Sequence, residues 1–316
     1  MAGLLAGHFF RQQRPLIWEA QASLPNNHAA LLRFRTDAVS RVTGIPFRRV
    51  NVTKAVLNRE LKLMPLATMA DSNAYSLKVS GEARARSILD LRPVERYIAP
   101  EDFIQQLANG LSTIPFYNQP VTATDLKMIP GQHVISTLPM PVLLKLAGEE
   151  VPDGMFGIKP IWSVTTTLRE PICDLYQTLY GPWDHVSWYR ASFTGARLIL
   201  EFPGEPLKPR AEIDFLLSLL GFKLETCIYE PPILKKQPYG KLLPCADESL
   251  RRSTILSMTD RFGLYSLGRF ATWRQILLDD VVHDCEVIQR MITDRDRYGR
   301  HLHQSGPLDR AHSPIP

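Results

Sequence analysis

Gly263-Leu-Tyr-Ser-Leu-Gly268-Arg269-Phe270-Ala-Thr-Trp273-Arg274-Gln-Ile-Leu-Leu-Asp279-Asp280-Val281-Val282-His283-Asp284 is the stretch whose reading decides the fold. It patterns as a short apolar strand, a Gly268-Arg269 turn, a connecting segment, and a helix opening at Asp279 or Asp280. An acidic helix start leaves first-turn N–H groups that can hold the electron-rich edge of a ligand. The same spacing also suits an ordinary strand-turn-helix connection, so other parts of the chain must choose between the two.

The first residues bear on that choice. Residues 2–11 pattern as a helix of small and apolar residues, which Arg14-Pro15 ends. Leu16-Ile17-Trp18-Glu19-Ala20 then reads as a buried strand ending in an acid. Helix, turn, strand and Glu19 form the second and third parts of a dinucleotide-binding βαβ unit, in which the acid accepts hydrogen bonds from the adenosine ribose. A plain surface acid after an edge strand is the alternative. Met1-Ala2-Gly3 supplies only the last three positions of a G-x-G-x-x-G loop, with Gly3 as the third glycine. The expectation is a biological start upstream of Met1, with loss of the pyrophosphate loop as the alternative. After Asn26-Asn27-His28, Arg33 and Arg35 alternate with apolar residues. Alternation puts them on one side of a strand, where they either meet phosphate or stay solvated beside a loop.

The middle of the chain is mixed. Residues 82–89 have helical character, 92–98 read as a strand, and 99–108 as a capped amphipathic helix. Arg84, Arg86, Arg92 and Arg96 either contact an anionic substrate or form a solvated face. Val134-Ile135-Ser136-Thr137-Leu138-Pro139 suits a buried parallel strand whose C-terminal end opens on a ligand crevice, followed by a short helix stopped at Gly148. Residues 159–168, 185–190 and 197–202 read as successive antiparallel strands, with a turn over 193–196, that roof such a site. Trp188 and Arg190 would share one face, with Trp162 and Tyr189 as further substrate-side candidates, although strand aromatics usually fill a core. A helix over 212–220 and an extended stretch from Tyr229 follow. Lys241 lies in a lysine-rich loop that either approaches an anionic ligand or reactive ring, or is plain basic surface.

The 316 residues are 45% hydrophobic and 22% charged, ample for a large core. A net charge of +5 and a pI of about 9.0 suit an anionic ligand or nucleic acid without selecting either. Cys173, Cys227, Cys245 and Cys285 form no C-x-x-C pair, so the expectation is free thiols in a reducing cytoplasm, with no zinc or other metal. No apolar run reaches membrane-spanning length, and the apolar N-terminus lacks the basic region of a signal peptide.

The helix-strand-Glu19 fragment, the stretch from Val134 to Pro139, and the final Gly268-Arg269…Asp279-Asp280-Val281 motif stand in an order that resembles FAD-binding flavoproteins of the amine-oxidase and UDP-galactopyranose-mutase type. The resemblance spans about residues 1–295. It implies an α/β fold: a Rossmann-like FAD-binding domain, its first strand and Gly-x-Gly absent from the sequence, assembled from residues 1–40, 110–150 and 240–295. An inserted mixed or antiparallel-sheet substrate domain would take 41–109 and 151–239, leaving 296–316 as a flexible tail. FAD is the implied cofactor. Gly3 and Glu19 match the pyrophosphate and ribose positions, and Gly268 and Arg269 the turn near FAD. Asp279 or Asp280 and the Val281 backbone match the helix start at the flavin, with His28 and Arg33 as further cofactor neighbours. A narrower likeness, to bacteriophage flavoproteins that include the FAD-dependent lyase of thymidine hypermodification, implies a modified nucleotide in DNA and a host cytoplasm.

Four functions follow. The first is an FAD-dependent oxidoreductase or lyase acting at an amine-bearing carbon, with the cofactor supplying the difficult chemistry. The second is a flavin-dependent sugar-nucleotide mutase with arginines on a diphosphate. The third is a non-catalytic binding protein that has lost its cofactor loop. The fourth, a nucleic-acid module, rests on charge alone, because no helix-turn-helix, zinc or RNA-recognition motif is present.

Overall fold

The computed structural model describes residues 1–23, 32–83, 86–113, 115–127 and 132–304, without the side chains of 297–304. The first half runs α1 (Ala2–Phe9), β1 (Arg33–Phe34), α2 (Ala38–Thr43), β2 (Arg48–Leu57), β3 (Leu63–Met64), α3 (Met69–Ser80), β4 (Val94–Ile98) and α4 (Phe103–Asn109). Next come α5 (Ala123–Lys127), β5 (Val134–Ser136), α6 (Met140–Ala147), β6 (Ile158–Glu170), β7 (Leu175–Tyr180), β8 (Arg190–Gly195) and β9 (Arg197–Phe202). The chain continues through α7 (Pro209–Leu219), β10 (Ile228–Tyr229), β11 (Ile233–Leu242), α8 (Glu248–Phe262), β12 (Leu264–Ser266) and α9 (Leu278–Gln304).

Two sheets result. The large one has the order β1-β4-β2-β7-β8-β9-β6-β10, with β11 also on β6 and β3 also on β2. It is mixed: β2 and β7 run parallel, and the other pairs are antiparallel. The small sheet is the parallel pair β5–β12, in register from Leu264 opposite Val134 to Ser266 opposite Ser136. Helices cover both. Leu4, Leu5 and Phe10 of the N-terminal segment share one core with Phe103 and Leu107 of α4 and with Val281, Val282 and Cys285 of α9. Ile213, Leu216 and Leu217 of α7 bury one face of the large sheet against Val164, Leu198 and Leu200. α4 thus packs on α1.

Several sequence expectations change here. Residues 16–20 form no buried strand. Trp18 and Phe116 make one parallel bridge, flanked by Phe116 N–H to Ile17 O at 2.8 Å and Gln119 N–H to Glu19 O at 2.9 Å. Leu16 is 70% and Trp18 50% exposed, because no layer of the described residues covers this edge. The helix expected over 82–89 lies earlier, as α3. There Thr68 and Asp71 form a reciprocal capping box, and Gly81 ends the helix at φ +82°. Residues 185–189 are not strand, because the Lys78 ammonium donates to the carbonyls of Gly181, Trp183, Val186 and Trp188 at 2.7–3.0 Å and holds them as a loop. Strand geometry begins only at Arg190 and runs through Gly195, so the turn expected over 193–196 shrinks to Ala196. α9 continues to Gln304 where a flexible tail is expected from 296, and 305–316 lie outside the described residues.

Candidate functional site

The final motif folds as a strand, a turn and a helix, and α1 is built onto it. Gly268 takes φ +90°, and a Cβ there would stand 2.8 Å from Ala2 Cβ, so only glycine admits the first turn of α1 this closely. Gly3 faces Thr137, just past the end of β5, at ordinary contact distance. The first turn of α1 thus lies at the C-terminal ends of both parallel strands. In doubly wound sheets that is where ligands bind. Trp273 holds a left-handed φ of +48°, strained for a bulky residue, in the same connecting segment.

The helix-start acids are otherwise engaged. Asp279, buried, accepts from Thr36 N–H and Oγ1–H, both at 2.9 Å, and from Arg35 N–H at 3.2 Å. Asp280 pairs with Arg35 at 2.6 Å and accepts the Leu277 N–H, one residue before α9. Val281 is core, and its N–H donates to Leu277 O. These residues fix α9 to the β1–α2 connection.

A cationic cavity lies beside the same turn. It holds about 390 Å³ and is lined by the end of α3, Arg86, the end of β11, and Gln275. β11 carries an irregularity here: four positions from Gln237 to Lys241 stand against two from Ile161 to Lys159. Gly240 makes this possible, since a Cβ there would lie 2.3 Å from Ile161 Cγ1. Such a bulge re-aims the next side chain, and that side chain is Lys241. Lys241 Nζ lies 4.9 Å from the Tyr189 ring centroid. Burial, then repulsion from Arg190, Arg86 and Arg269, brings its pKa down to about 7, against the opposing pull of Glu201.

Arg86 donates to Ser80 Oγ at 3.2 Å and Gln275 Oε1 at 3.1 Å, and Gln275 donates to Leu242 O at 2.7 Å. Arg269 reaches Gly240 O at 3.5 Å, and its buried Nε meets no acceptor among the described residues. Burial and then Arg86 lower its pKa. Behind Lys241, Arg190 and Tyr189 both donate to Glu201. Burial pushes the Glu201 carboxyl up, but Arg190 and Lys241 reverse this and hold it below its usual range.

The structure therefore brings Arg269, Lys241 and, through Glu201, Arg190 into one neighbourhood, and adds Arg86. Sequence reading placed Arg86 among undifferentiated basic residues. Its usable signal was a position just after the glycine that stops α3. The Trp188 ring is fully buried in the sheet–α7 core, against Gly181. Arg33 is also drawn inward. β1 is two residues long, so alternation with Arg35 ends at once. Arg33 turns into the sheet, donating to Thr178 Oγ1 at 2.9 Å, Thr194 Oγ1 at 3.0 Å, and the carbonyls of Gln177 and Phe193. Glu19 is half-buried and accepts the Gln21 N–H at 3.0 Å. His28 and Arg84 lie outside the described residues. Among the described residues no His, Cys, Asp and Glu cluster could hold a metal, and no helix is long and apolar enough to cross a membrane.

By sequence, no family model and no curated protein matches the chain. By structure it is similar to reduced UDP-galactopyranose mutase at 14% identity, with a TM-score of 0.61 and 92% of both chains covered. It is similar also to an Exiguobacterium protein assigned as a protoporphyrinogen oxidase, at 12% identity and TM-score 0.60 over 93% of this chain and 97% of that one. A p-nitrophenol 4-monooxygenase from Pseudomonas putida matches at 10% identity and TM-score 0.51, over 94% of this chain and 78% of its own. The chain therefore has the mixed α/β fold of these enzymes, the large sheet included.

Proposed function

We propose that this chain is an FAD-dependent oxidoreductase whose substrate reacts beside the Arg86–Lys241–Arg269 cavity. One observation carries the reading. The first turn of α1 packs on the Gly268-Arg269 turn just past the C-terminal ends of β5 and β12, and Arg269 of that turn reaches Gly240 O, next to Lys241 of the cavity wall. A dinucleotide at that end of a parallel sheet would present its reactive ring to the cavity.

The residues fit such a group. Arg269 Nε is a buried donor with no acceptor among the described residues, Gly3 leaves room beside Thr137, and Glu19 can serve a ribose. Asp279 and Asp280 would act at one remove, by seating α9. The chemistry FAD supplies when bound is acceptance of a hydride. The chain orients the substrate, excludes water and handles a proton. Lys241, with a pKa near neutrality, is suited to take a proton from a substrate ammonium group. That match favours oxidation or cleavage at an amine-bearing carbon, and an amino-acid-modified thymidine is the narrowest substrate within this reading. A sugar-nucleotide mutase is the second reading, favoured by three cations positioned for a diphosphate.

The test begins with absorption spectra of the purified chain before and after adding FAD. No flavin bands in either would sink both readings. With flavin bound, anaerobic bleaching by amines, including the modified thymidine, supports the first. Interconversion of UDP-galactose isomers by the reduced protein supports the second.

A further inference from the structure

We infer that the cavity between α3, β11 and the segment after β12 is a built oxyanion site, which takes a carboxylate or phosphate group of the substrate on Arg86, Lys241 and Arg269. Assigning the anion to a substrate rests on the flavoenzyme reading. The existence of the site does not.

Three cations converge here from segments far apart in the chain, and like charges this close repel. Their one buried counter-charge, Glu201, is already committed to Arg190 and Tyr189. Glu82 also lines the cavity, but at its exposed rim. The cluster is therefore short of negative charge.

The partners of the cations separate this cluster from ordinary buried cations in the same molecule. Lys78 donates to four carbonyls, and Arg33 to two hydroxyls and two carbonyls. Both are saturated, as a structural cation must be when an unmade bond costs a large part of domain stability. Lys241, by contrast, makes no side-chain hydrogen bond among the described residues, only a ring contact with Tyr189 and a longer-range attraction to Glu201, and Arg269 leaves its buried Nε without an acceptor among them. Arg86 is oriented rather than neutralised: Ser80 Oγ and Gln275 Oε1 steer a guanidinium plane at the cavity wall without cancelling its charge. Planar guanidinium forks plus one point charge are the donor set that matches a carboxylate or phosphate. The volume of about 390 Å³ suits a small ligand or one end of a larger one.

The test is calorimetric titration of the purified full chain with inorganic phosphate and with acetate, at pH 6.5 and constant ionic strength. Saturable millimolar binding is expected for at least one, weakened about tenfold or more in both Lys241→Met and Arg86→Gln. Thermal melts of both variants check that they fold. Arg86 stands nearer the mouth, so Arg86→Gln carries the test if Lys241→Met unfolds. No saturable binding, or binding unchanged in the folded variants, overturns the site. Repeating the titration with FAD added separates the sources. Binding that persists belongs to a substrate, whereas displacement by FAD gives the site to the cofactor's own phosphates and overturns the substrate assignment. A chain that binds phosphate but never FAD keeps the site and loses the flavoenzyme reading.

Discussion

Lys241 and Arg33 show how differently one charge can be used. Both are basic residues whose strand neighbours are apolar or small, and nothing in their local sequence separates them. The fold does: Arg33 finds hydroxyls and carbonyls on β7 and β8, while a bulge two residues deep aims Lys241 at a cavity. Arg33→Met should therefore cost about 1–3 kcal/mol, the penalty for stranded acceptors, and leave phosphate affinity unchanged. Chemical denaturation with parallel calorimetry checks this, and loss of anion binding at intact stability would return Arg33 to the site. Lys241 also sets a pH dependence. Glu201, Arg190, Arg86, Arg269, Tyr189 and, at the cavity rim, Glu82 are the titratable groups around it among the described residues. The site needs the charged ammonium, so anion affinity should fall as pH rises through about 7. Stability of the ligand-free chain runs the other way. The folded pKa of about 7 lies below the reference value of 10.5, so between them the unfolded chain holds the extra proton, and the Lys241 contribution to stability grows with pH. Lys241→Met should flatten that slope and raise stability at pH 7 by on the order of 1–2 kcal/mol. Melts across pH 6–10 read both effects.

Elements were legible where a single physical signal dominates. β12, α9, α6 and α7 announce themselves by apolar runs, an acidic start or glycine stops, and β6 and β9 by extended apolar or β-branched stretches, whereas the lysines of β11 read as a loop. α3 was not legible: its buried face is Asp71, Ser72, Tyr75, Ser76 and Val79, which carries no apolar stripe. What makes that face buriable is hydrogen bonding, such as Ser76 Oγ–H to Glu82 O at 2.6 Å, and periodicity cannot report it. The 181–189 loop was misread for a related reason, because its conformation is imposed by a lysine over a hundred residues earlier in the chain. Lys78→Met should consequently cost about 3 kcal/mol, stranding several carbonyls at once. Amide exchange should localise the loss to the loop and the start of β8, and uniform destabilisation would show that the cage is not what shapes the loop. Gly268→Ala meets both a left-handed φ and the 2.8 Å approach of Ala2, so a cost of about 1–3 kcal/mol and loosening of α1 are expected. Increased exchange in α1, with α7 unaffected, is the pattern that confirms the α1–turn contact.

At the scale of the whole molecule, the final motif pointed correctly to a strand, a turn and a helix start, and the stretch from Val134 to Pro139 to a parallel strand. It could not reveal that β5 and β12 are the only strands paired in that small sheet among the described residues, while most of the strand content lies in the large one. Nor could it reveal where the cavity forms. The cavity wall takes Ser80 from the end of α3, Arg86 from the segment that follows it, Lys241 from a sheet edge, and Gln275 from the connecting segment, with Arg269 tied to it through Gly240. No single stretch contains the site, so only the assembled fold defines it. That construction makes a global prediction. An anion that neutralises three cations from three segments stabilises their mutual packing, by about 1.4 kcal/mol when its concentration is ten times Kd. Amide exchange in saturating phosphate should slow together in residues 78–88, 237–243 and 267–275, and the same concentration should raise the melting temperature. In Arg86→Gln the joint protection should disappear from all three, since the anion would then be gripped from two sides only. Protection confined to one segment would mean that phosphate sits on a local basic patch and that the segments respond independently.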